Sequence, residues 1–188
     1  MKISVCIPVY NFDVKNLVAA LRKEIQTYQI EAEIILIDDA SDNRFKEIYK
    51  EASVYTNQFI FLDKNIGRSK IRNLFLKHTK GDYLLFLDCD AKIDNTDFLK
   101  NYLQEIEQNR GVEVIYGNFK TDSAYLKTLR NRYSVEREIF SGDRTSDFSV
   151  FKTVNFIIQR ETFIKFPFDE TLANYGYEDY VFAKKMDE

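Results

Sequence analysis

Apolar residues follow two alternating patterns along the chain. In the first pattern, short and nearly continuous apolar runs are bounded by polar or turn-forming residues, which is typical of buried β-strands. In the second pattern, apolar residues recur every three or four positions, which is typical of helices that pack through one face. The first pattern predicts strands at residues 3–10, 33–38, 58–62, 82–88, 112–117 and 154–159. The second pattern predicts helices near residues 14–25, 41–49, 67–78, 98–106 and 177–186.

This alternation of strands and helices predicts an α/β fold with a mostly parallel, Rossmann-like sheet and helices on both faces. We expect a single domain over residues 1–188, because no linker, repeat or low-complexity segment divides the chain. Residues 1–117 carry the regular pattern. The second half is less regular, and its aromatic and basic stretch at 120–152 is expected to form a mobile substrate loop.

The composition narrows the range of partners. The chain is 45% hydrophobic and 30% charged, which is the balance of a globular domain. Its net charge of -3 gives no reason to expect that it binds nucleic acid. No apolar run reaches the roughly 20 residues of a membrane-spanning helix. The amino terminus has the pattern of a strand rather than of a signal peptide. We expect a cytoplasmic protein, because its two cysteines are expected to be reduced.

Cysteine and histidine, the usual ligands of zinc, are few in this chain. Cys6 and Cys89 are the only cysteines and lie in or beside apolar strands, so we expect both to be reduced and unreactive. With a single histidine, His78, the chain lacks the ligands of a Cys/His zinc site. Any bound metal is therefore expected to have oxygen ligands.

Polar residues gather at the carboxyl ends of the first four predicted strands. These strands are followed by Pro8–Asn11, Asp38–Ser41, Asn65–Arg68 and Asp88–Asp90. In open parallel sheets, ligands bind beyond this edge, so the four segments together predict a cleft. Taken singly, the acidic segments also fit caps of the helices that follow, and Ser41 or Asp42 is a candidate cap.

The residue types at this edge suit a nucleoside diphosphate. Asp88 and Asp90 would point to the same side of an extended chain and face one ligand. Carboxylates and phosphate oxygens are the ligands that Mg²⁺ and Mn²⁺ prefer. Tyr10 is suited to stacking on a base, and Asp39 to accepting a hydrogen bond from a base N–H. Three basic residues are candidates for balancing phosphate charge, or are simply solvated: Arg68, Lys70 and Arg72.

At this point the sequence resembles family 2 glycosyltransferases of the inverting GT-A type. "SVCIPVYN" resembles the opening strand of that family, and "EIILIDDASDN" resembles its second strand and acidic turn. "NIGRSKIRN" followed by "GDYLLFLDCDAKID" resembles its block with Asp-x-Asp, and "FDETLANYGYEDYVFAKKM" resembles its later block with Glu-Asp. The resemblance implies a GT-A fold and transfer of a sugar, from a UDP-linked donor, to a saccharide or glycoconjugate acceptor in polysaccharide or glycoconjugate synthesis.

The resemblance also implies a role for each matched residue. Asp179 would be the general base that deprotonates the acceptor hydroxyl, with Glu178 as the alternative. Asp90, together with Asp88, would bind a divalent cation, Mn²⁺ or Mg²⁺, at the diphosphate. The nucleotide would be held by Pro8, Val9, Tyr10, Asp39, Asn65, Gly67, Arg72 and Asp88.

One feature of the family is missing and bears on activity. The family often has a histidine beyond Glu-Asp that completes the metal site, whereas the only histidine here is His78. The chain also ends soon after Asp179. We therefore expect residues 118–188 to be an acceptor-side half that is truncated at its carboxyl end.

Other functions fit the sequence less well or stay open. Phosphatases of the haloacid dehalogenase type also place Asp-x-Asp after a strand, but on the first strand and with Thr or Val where this chain has Lys92. A dinucleotide-dependent dehydrogenase is disfavoured because no G-x-G-x-x-G follows a strand. A non-catalytic nucleotide-sugar-binding or interaction module stays open. The basic, aromatic residues 125–152 fit ordinary helix packing best, and contact with a membrane or a polymer acceptor stays open for them.

Overall fold

One six-stranded sheet organises the structure, a computed structural model that describes residues 1–120, 128, 129, 132, 139, 151–172 and 176–187. The strand order is β3-β2-β1-β4-β6-β5. The strands are β1 (Ile3–Val9), β2 (Ala32–Asp38), β3 (Gln58–Phe61), β4 (Tyr83–Leu87), β5 (Val114–Tyr116) and β6 (Asn155–Gln159). Most of the predicted substrate loop at 120–152 lies outside the described residues.

The four strands that begin the chain are parallel, as predicted. β1 pairs in parallel with β2 and with β4, and β2 pairs in parallel with β3. β6 runs antiparallel to both of its neighbours, β4 and β5. An apolar run buried on both faces has the same pattern in either direction, so the sequence does not reveal this reversal.

Helices cover both faces of the sheet, which confirms the predicted layering. The α-helices are α1 (Lys15–Tyr28), α2 (Lys46–Ser53), α3 (Arg68–Leu74), α4 (Phe98–Gln108), α5 (Arg160–Lys165) and α6 (Glu178–Asp187). One apolar core joins α1, α2 and α4 to one face of β1, through residues that include Val5, Leu21 and Leu99. A second core joins α3, α5 and α6 to the other face, through residues that include Phe86 and Phe182.

Two helix boundaries differ from the sequence prediction. The helix predicted at 67–78 is α-helical only to Leu74 and continues as a 3-10 turn over Phe75–Lys77. The helix predicted from residue 41 begins with a 3-10 turn over Asn43–Phe45, and Asp42 makes no side-chain capping bond. The hydroxyl of Ser41 donates to Asp38 instead of capping the helix. No helix in the described part of the chain is both long and apolar enough to cross a bilayer.

Glu33 ties together the starts of the three central strands, at the edge opposite their carboxyl ends. Its carboxylate accepts hydrogen bonds from Lys2 Nζ at 2.8 Å, Ser4 Oγ at 2.5 Å and the backbone N–H of Lys80 at 2.6 Å. Burial opposes ionisation of Glu33, but Lys2, Ser4 and the Lys80 N–H together hold its pKa below the ordinary value. The lowered pKa means that the folded state favours the charged form.

We expect Glu33→Gln to lower the free energy of unfolding by about 1–3 kcal/mol at pH 7, because it removes charge-assisted bonds from buried donors. The folded-state pKa lies below the unfolded-state value of about 4.3, so this stabilisation is present above that pH and is lost as the pH falls below it. Urea unfolding at pH 7 and pH 4 should show the smaller difference at pH 4. The matched control is Glu31→Gln, whose side chain is 71% exposed, and it should stay within about 0.5 kcal/mol. A loss that does not change with pH would contradict this account.

Candidate functional site

A cleft of about 380 Å³ opens at the carboxyl ends of β1, β2 and β4. This is the edge where the sequence predicts a ligand site, and the volume is in the range of small-molecule pockets. All residues predicted to hold the nucleotide or the metal line this cleft: Pro8, Val9, Tyr10, Asp39, Asn65, Gly67, Arg72, Asp88 and Asp90. Lys70 is exposed and belongs to a separate, smaller cavity beside the loop before α3.

Two exposed aromatic rings flank the cleft at the end of β1. Tyr10 is 52% exposed and Phe12 is 42% exposed, and both line the cavity. Between them Asn11 has a positive φ of 51°, a conformation that asparagine tolerates better than most residues. Its N–H donates to Ser41 Oγ at 2.7 Å, which joins the ends of β1 and β2. Phe12 was missed because a single aromatic residue after a strand carries no distinctive signal.

Asp39 holds the loop that precedes α3. Its carboxylate accepts hydrogen bonds from the N–H groups of Ile66 at 2.7 Å and Gly67 at 3.1 Å, and the Asn65 amide donates to its backbone carbonyl at 3.2 Å. Gly67 has a φ of 85°, which a residue with a Cβ rarely adopts. Asp39 is only 6% exposed, so its main contacts in this structure are with the loop.

The Asp-x-Asp segment is a turn and not an extended chain. β4 ends at Leu87, and the N–H of Ala91 donates to the carbonyl of Asp88 at 3.1 Å. The alternation of an extended chain, which was expected to point Asp88 and Asp90 to the same side, therefore does not apply. Cys89 packs partly against the core and also lines the cleft between them. Burial raises the pKa of its thiol to about 11, so it is protonated at neutral pH, as expected for an unreactive cysteine.

Arg72 is a buried positive charge behind Asp88. It is 1% exposed, and its Nη2 donates to Asp88 Oδ1 at 3.0 Å and to Thr153 Oγ1 at 3.0 Å. The ring of Phe168 lies 5.5 Å from the guanidinium carbon, within reach of a cation–π contact. Arg72 is therefore not a solvated basic residue on the surface of a helix. Its buried guanidinium instead supports Asp88 at the cleft.

Asp88 lies between two arginines. Besides Arg72, the guanidinium of Arg68 approaches Asp88 Oδ2 at 3.8 Å. Burial raises the pKa of Asp88 to about 6, against the opposing attraction of Arg72 and Arg68. The two guanidinium groups favour the ionised form of Asp88, whose negative charge balances the buried charge of Arg72.

Glu178 and Asp179 begin α6 and are joined to the cleft by different contacts. Glu178 is 5% exposed, accepts from the N–H of Gly176 at 3.1 Å and pairs with Arg68 Nε at 2.5 Å. Asp179 is half-buried and accepts two hydrogen bonds from Thr153, one from the hydroxyl at 3.0 Å and one from the backbone N–H of Thr153 at 3.4 Å. Acidic residues also favour the first turn of a helix, so helix initiation and a role at the site are compatible for both.

The oxygen ligands for a cation are limited. Across the described residues, no three His, Cys, Asp or Glu side chains come together as a metal cluster. Asp90 is exposed at the cleft, whereas Asp88 is already bound to Arg72 and near Arg68. Mg²⁺ commonly uses one or two carboxylates together with substrate phosphates and water. Asp90 fits that arrangement, and His78 is not among the residues that line the cleft.

Known sequences resemble this chain over most of its length. A family model described as "Glycosyl transferase family 2" matches residues 4–172. The chain is 26% identical to glycosyltransferase GlyA of Streptococcus pneumoniae over 97% of its own length but covers only 28% of that protein. It is 30% identical to an uncharacterized glycosyltransferase of Haemophilus influenzae over 96% of its own length, and covers 69% of that protein.

Comparison with solved structures confirms the predicted GT-A fold. Staphylococcus aureus TarS in complex with UDP has a TM-score of 0.71 at 22% identity, over 98% of this chain and 54% of that chain. Mannosyltransferase PcManGT from Pyrobaculum calidifontis, in complex with GDP-Man and Mn²⁺, has a TM-score of 0.65 at 16% identity. That alignment covers 98% of this chain and 51% of the mannosyltransferase.

Proposed function

The chain belongs to glycosyl transferase family 2, and we propose that it moves a sugar from a nucleoside diphosphate sugar to an acceptor hydroxyl with inversion. The donor is proposed to carry uridine, and the acceptor to be a saccharide or glycoconjugate. The observation that carries the proposal is the cleft at the carboxyl edge of the sheet, which every predicted nucleotide-binding residue lines. The UDP complex of the similarly folded TarS supports the choice of uridine as the nucleoside of the donor.

The cleft offers complementary surfaces for a nucleotide. Tyr10 and Phe12 present exposed rings at its rim, and aromatic faces stack well on flat bases. Asp88, held by Arg72 at 3.0 Å, is proposed to accept a hydrogen bond from the ribose. Arg68 lines the same cleft and is proposed to attract the diphosphate. Asp39 is proposed to act mainly by holding the loop of Asn65 and Gly67 against the nucleotide.

The reaction requires a base on the acceptor side. We propose that Asp179 takes the proton from the acceptor hydroxyl while the oxygen forms a bond to the anomeric carbon. The bond from that carbon to the diphosphate oxygen breaks on the opposite side, which inverts the configuration. Glu178 is less suited to this role, because its carboxylate already pairs with Arg68 and accepts from Gly176.

A divalent cation, Mn²⁺ or Mg²⁺, is proposed to be held by Asp90 and would supply positive charge that neutralises the departing diphosphate. The Mn²⁺ in the PcManGT complex supports this expectation. Asp88 is the weaker candidate for a second ligand, because a cation beside it would face Arg72 and Arg68. Its pairing with Arg72 instead favours a role on the ribose.

Thermal unfolding with nucleotides and metal tests the donor site. A ligand at about 100 times its Kd stabilises the folded state by about 2.7 kcal/mol, which raises the Tm of a chain this size by about 5–11 °C. We expect UDP with Mn²⁺ to raise the Tm by an amount in this range, and more than UDP with EDTA. Asp90→Asn should lose the metal-dependent part of the rise. No rise with UDP, GDP, ADP or CDP, with or without Mn²⁺, would contradict the proposed donor site.

A matched control and a turnover assay complete the test. Asp94→Asn removes a nearby carboxylate that is 63% exposed and faces Lys92 at 3.6 Å, and it should keep the full metal-dependent rise. Release of nucleoside diphosphate from UDP-sugars, with water or added saccharides as acceptor, then measures transfer. Binding without any release would instead favour a non-catalytic nucleotide-sugar-binding module.

A further inference from the structure

We propose that Thr153 is a positioning residue that orients the Asp179 carboxylate and links it, through the buried guanidinium of Arg72, to the donor side of the cleft. This inference rests on the proposed function, since it concerns the orientation of the proposed base. Thr153 lies just before β6, is 1% exposed and does not line the cleft. It therefore acts on the reaction only through its two neighbours.

The chemistry of the three side chains fixes the direction of the hydrogen bonds. Thr153 Oγ1 lies 3.0 Å from Arg72 Nη2 and 3.0 Å from Asp179 Oδ1. A guanidinium can only donate, so the hydroxyl oxygen must accept from Arg72. The single hydroxyl proton is then left for Asp179, whose Oδ1 accepts it. The N–H of Thr153 approaches the other oxygen, Oδ2, at 3.4 Å, so the two oxygens of Asp179 are directed by one residue.

Two contacts tie this chain of side chains to Asp88. On one side, Arg72 Nη2 also donates to Asp88 Oδ1 at 3.0 Å. On the other side, the N–H of Asp88, the residue that follows β4, donates to the carbonyl of Val154 at 2.9 Å and so holds the residue next to Thr153. Residues that support a functional side chain in this way keep it in the productive geometry. The path Asp88–Arg72–Thr153–Asp179 thus connects the carboxylate that is proposed to bind the ribose with the carboxylate that is proposed to be the general base.

Replacement of the hydroxyl by a methyl group tests the role of Thr153. Thr153→Val keeps the branched shape but cannot accept from Arg72 or donate to Asp179. Nucleoside diphosphate release is measured with UDP-glucose, UDP-galactose and UDP-N-acetylglucosamine, and the donor that the parent chain turns over fastest is used. We expect kcat to fall by about 10–100-fold, the range for supporting residues, while the donor KM stays within about threefold. Thr153→Ser, which keeps the hydroxyl, should restore kcat to within about threefold.

The chain provides a closely matched control at the opposite edge of the sheet. Thr79 is also buried, and its hydroxyl accepts from Arg160 Nη2 at 2.7 Å and donates to the carbonyl of Phe75 at 2.8 Å. Thr79→Val removes the same kind of bridge and should lower the Tm by a similar amount, but it should leave kcat unchanged. A loss of kcat in both valine variants would show that Thr153 matters only for stability, and would overturn the inference.

Further outcomes separate this inference from the proposed function. If Asp179→Asn abolishes release but Thr153→Val has the kcat of the parent, or Thr153→Ser fails to restore it, the positioning role is wrong. If Asp179→Asn has normal kcat, the assignment of the base is wrong. If the parent chain releases nucleoside diphosphate from no donor, crystal structures decide the positioning role. The Asp179 carboxylate should adopt a different rotamer in Thr153→Val and the parent rotamer in Thr153→Ser, and an unchanged rotamer in Thr153→Val would overturn the inference.

Discussion

Asp179→Asn is expected to lower the rate of nucleoside diphosphate release by about 10²–10⁴-fold, which is the usual contribution of a general base. The amide keeps the size and shape of the carboxylate and can still accept from the hydroxyl of Thr153, 3.0 Å away in the parent chain. It cannot take a proton from the acceptor. Because the contacts of Asp179 among the described residues reach the donor cleft through Thr153 and Arg72, the affinity for UDP should change by less than about threefold.

Two substitutions on α6 distinguish the loss of a general base from the mere loss of a negative charge on this helix. Glu178→Gln weakens the contact with Arg68 and should reduce the rate less than Asp179→Asn does. Asp187→Asn makes the same chemical change as Asp179→Asn at the exposed end of the same helix and should have no effect. Calorimetry with UDP and steady-state kinetics measure the two parameters separately. Full activity of Asp179→Asn together with an inactive Glu178→Gln would assign the base to Glu178 instead.

The donor side of the site could be predicted from the sequence because it depends mainly on topology. Parallel strands end at one edge of the sheet, so the residues after β1, β2, β3 and β4 must lie near each other whatever their rotamers. Tyr10, Asp39, Gly67 and Asp90 therefore come together around the cleft as expected. This argument needs only the order and direction of the strands, which the apolar pattern of residues 3–88 indicates well.

The contacts that orient individual side chains could not be predicted in this way. Thr153 meets Arg72 across 81 positions of the sequence, and no local pattern distinguishes it from other threonines that precede a strand. Asp39 was expected to face a base, but its carboxylate is occupied by the N–H groups of Ile66 and Gly67. The turn at Asp88 replaces the alternation that an extended segment would have had. Each of these features depends on local backbone geometry or on distant partners, which hydrophobic periodicity does not encode.

Arg72→Met is expected to lower the free energy of unfolding by about 3–5 kcal/mol, because it removes the nearer cationic partner of the largely buried Asp88 and leaves Arg68, 3.8 Å away, as the more distant one. For a chain of this size that loss corresponds to a fall in Tm of about 6–20 °C. The matched control is Arg44→Met, since Arg44 is 73% exposed and lies 3.6 Å from Asp42, and it should cost less than about 0.5 kcal/mol. Urea unfolding of the ligand-free proteins measures both values.

The double variant Arg72→Met/Asp88→Asn identifies the physical cause of this loss. If the cost arises from the charge of Asp88 after the loss of Arg72, neutralising that carboxylate should recover at least about 1 kcal/mol relative to Arg72→Met alone. If the cost arises only from lost packing of Arg72 against Phe168, which lies 5.5 Å from the guanidinium, the double variant should be no more stable than the single one. Recovery of stability without recovery of UDP affinity would further show that the ion pair is dispensable for folding. The side chains of Arg72 and Asp88 would then be needed for the nucleotide and not for stability.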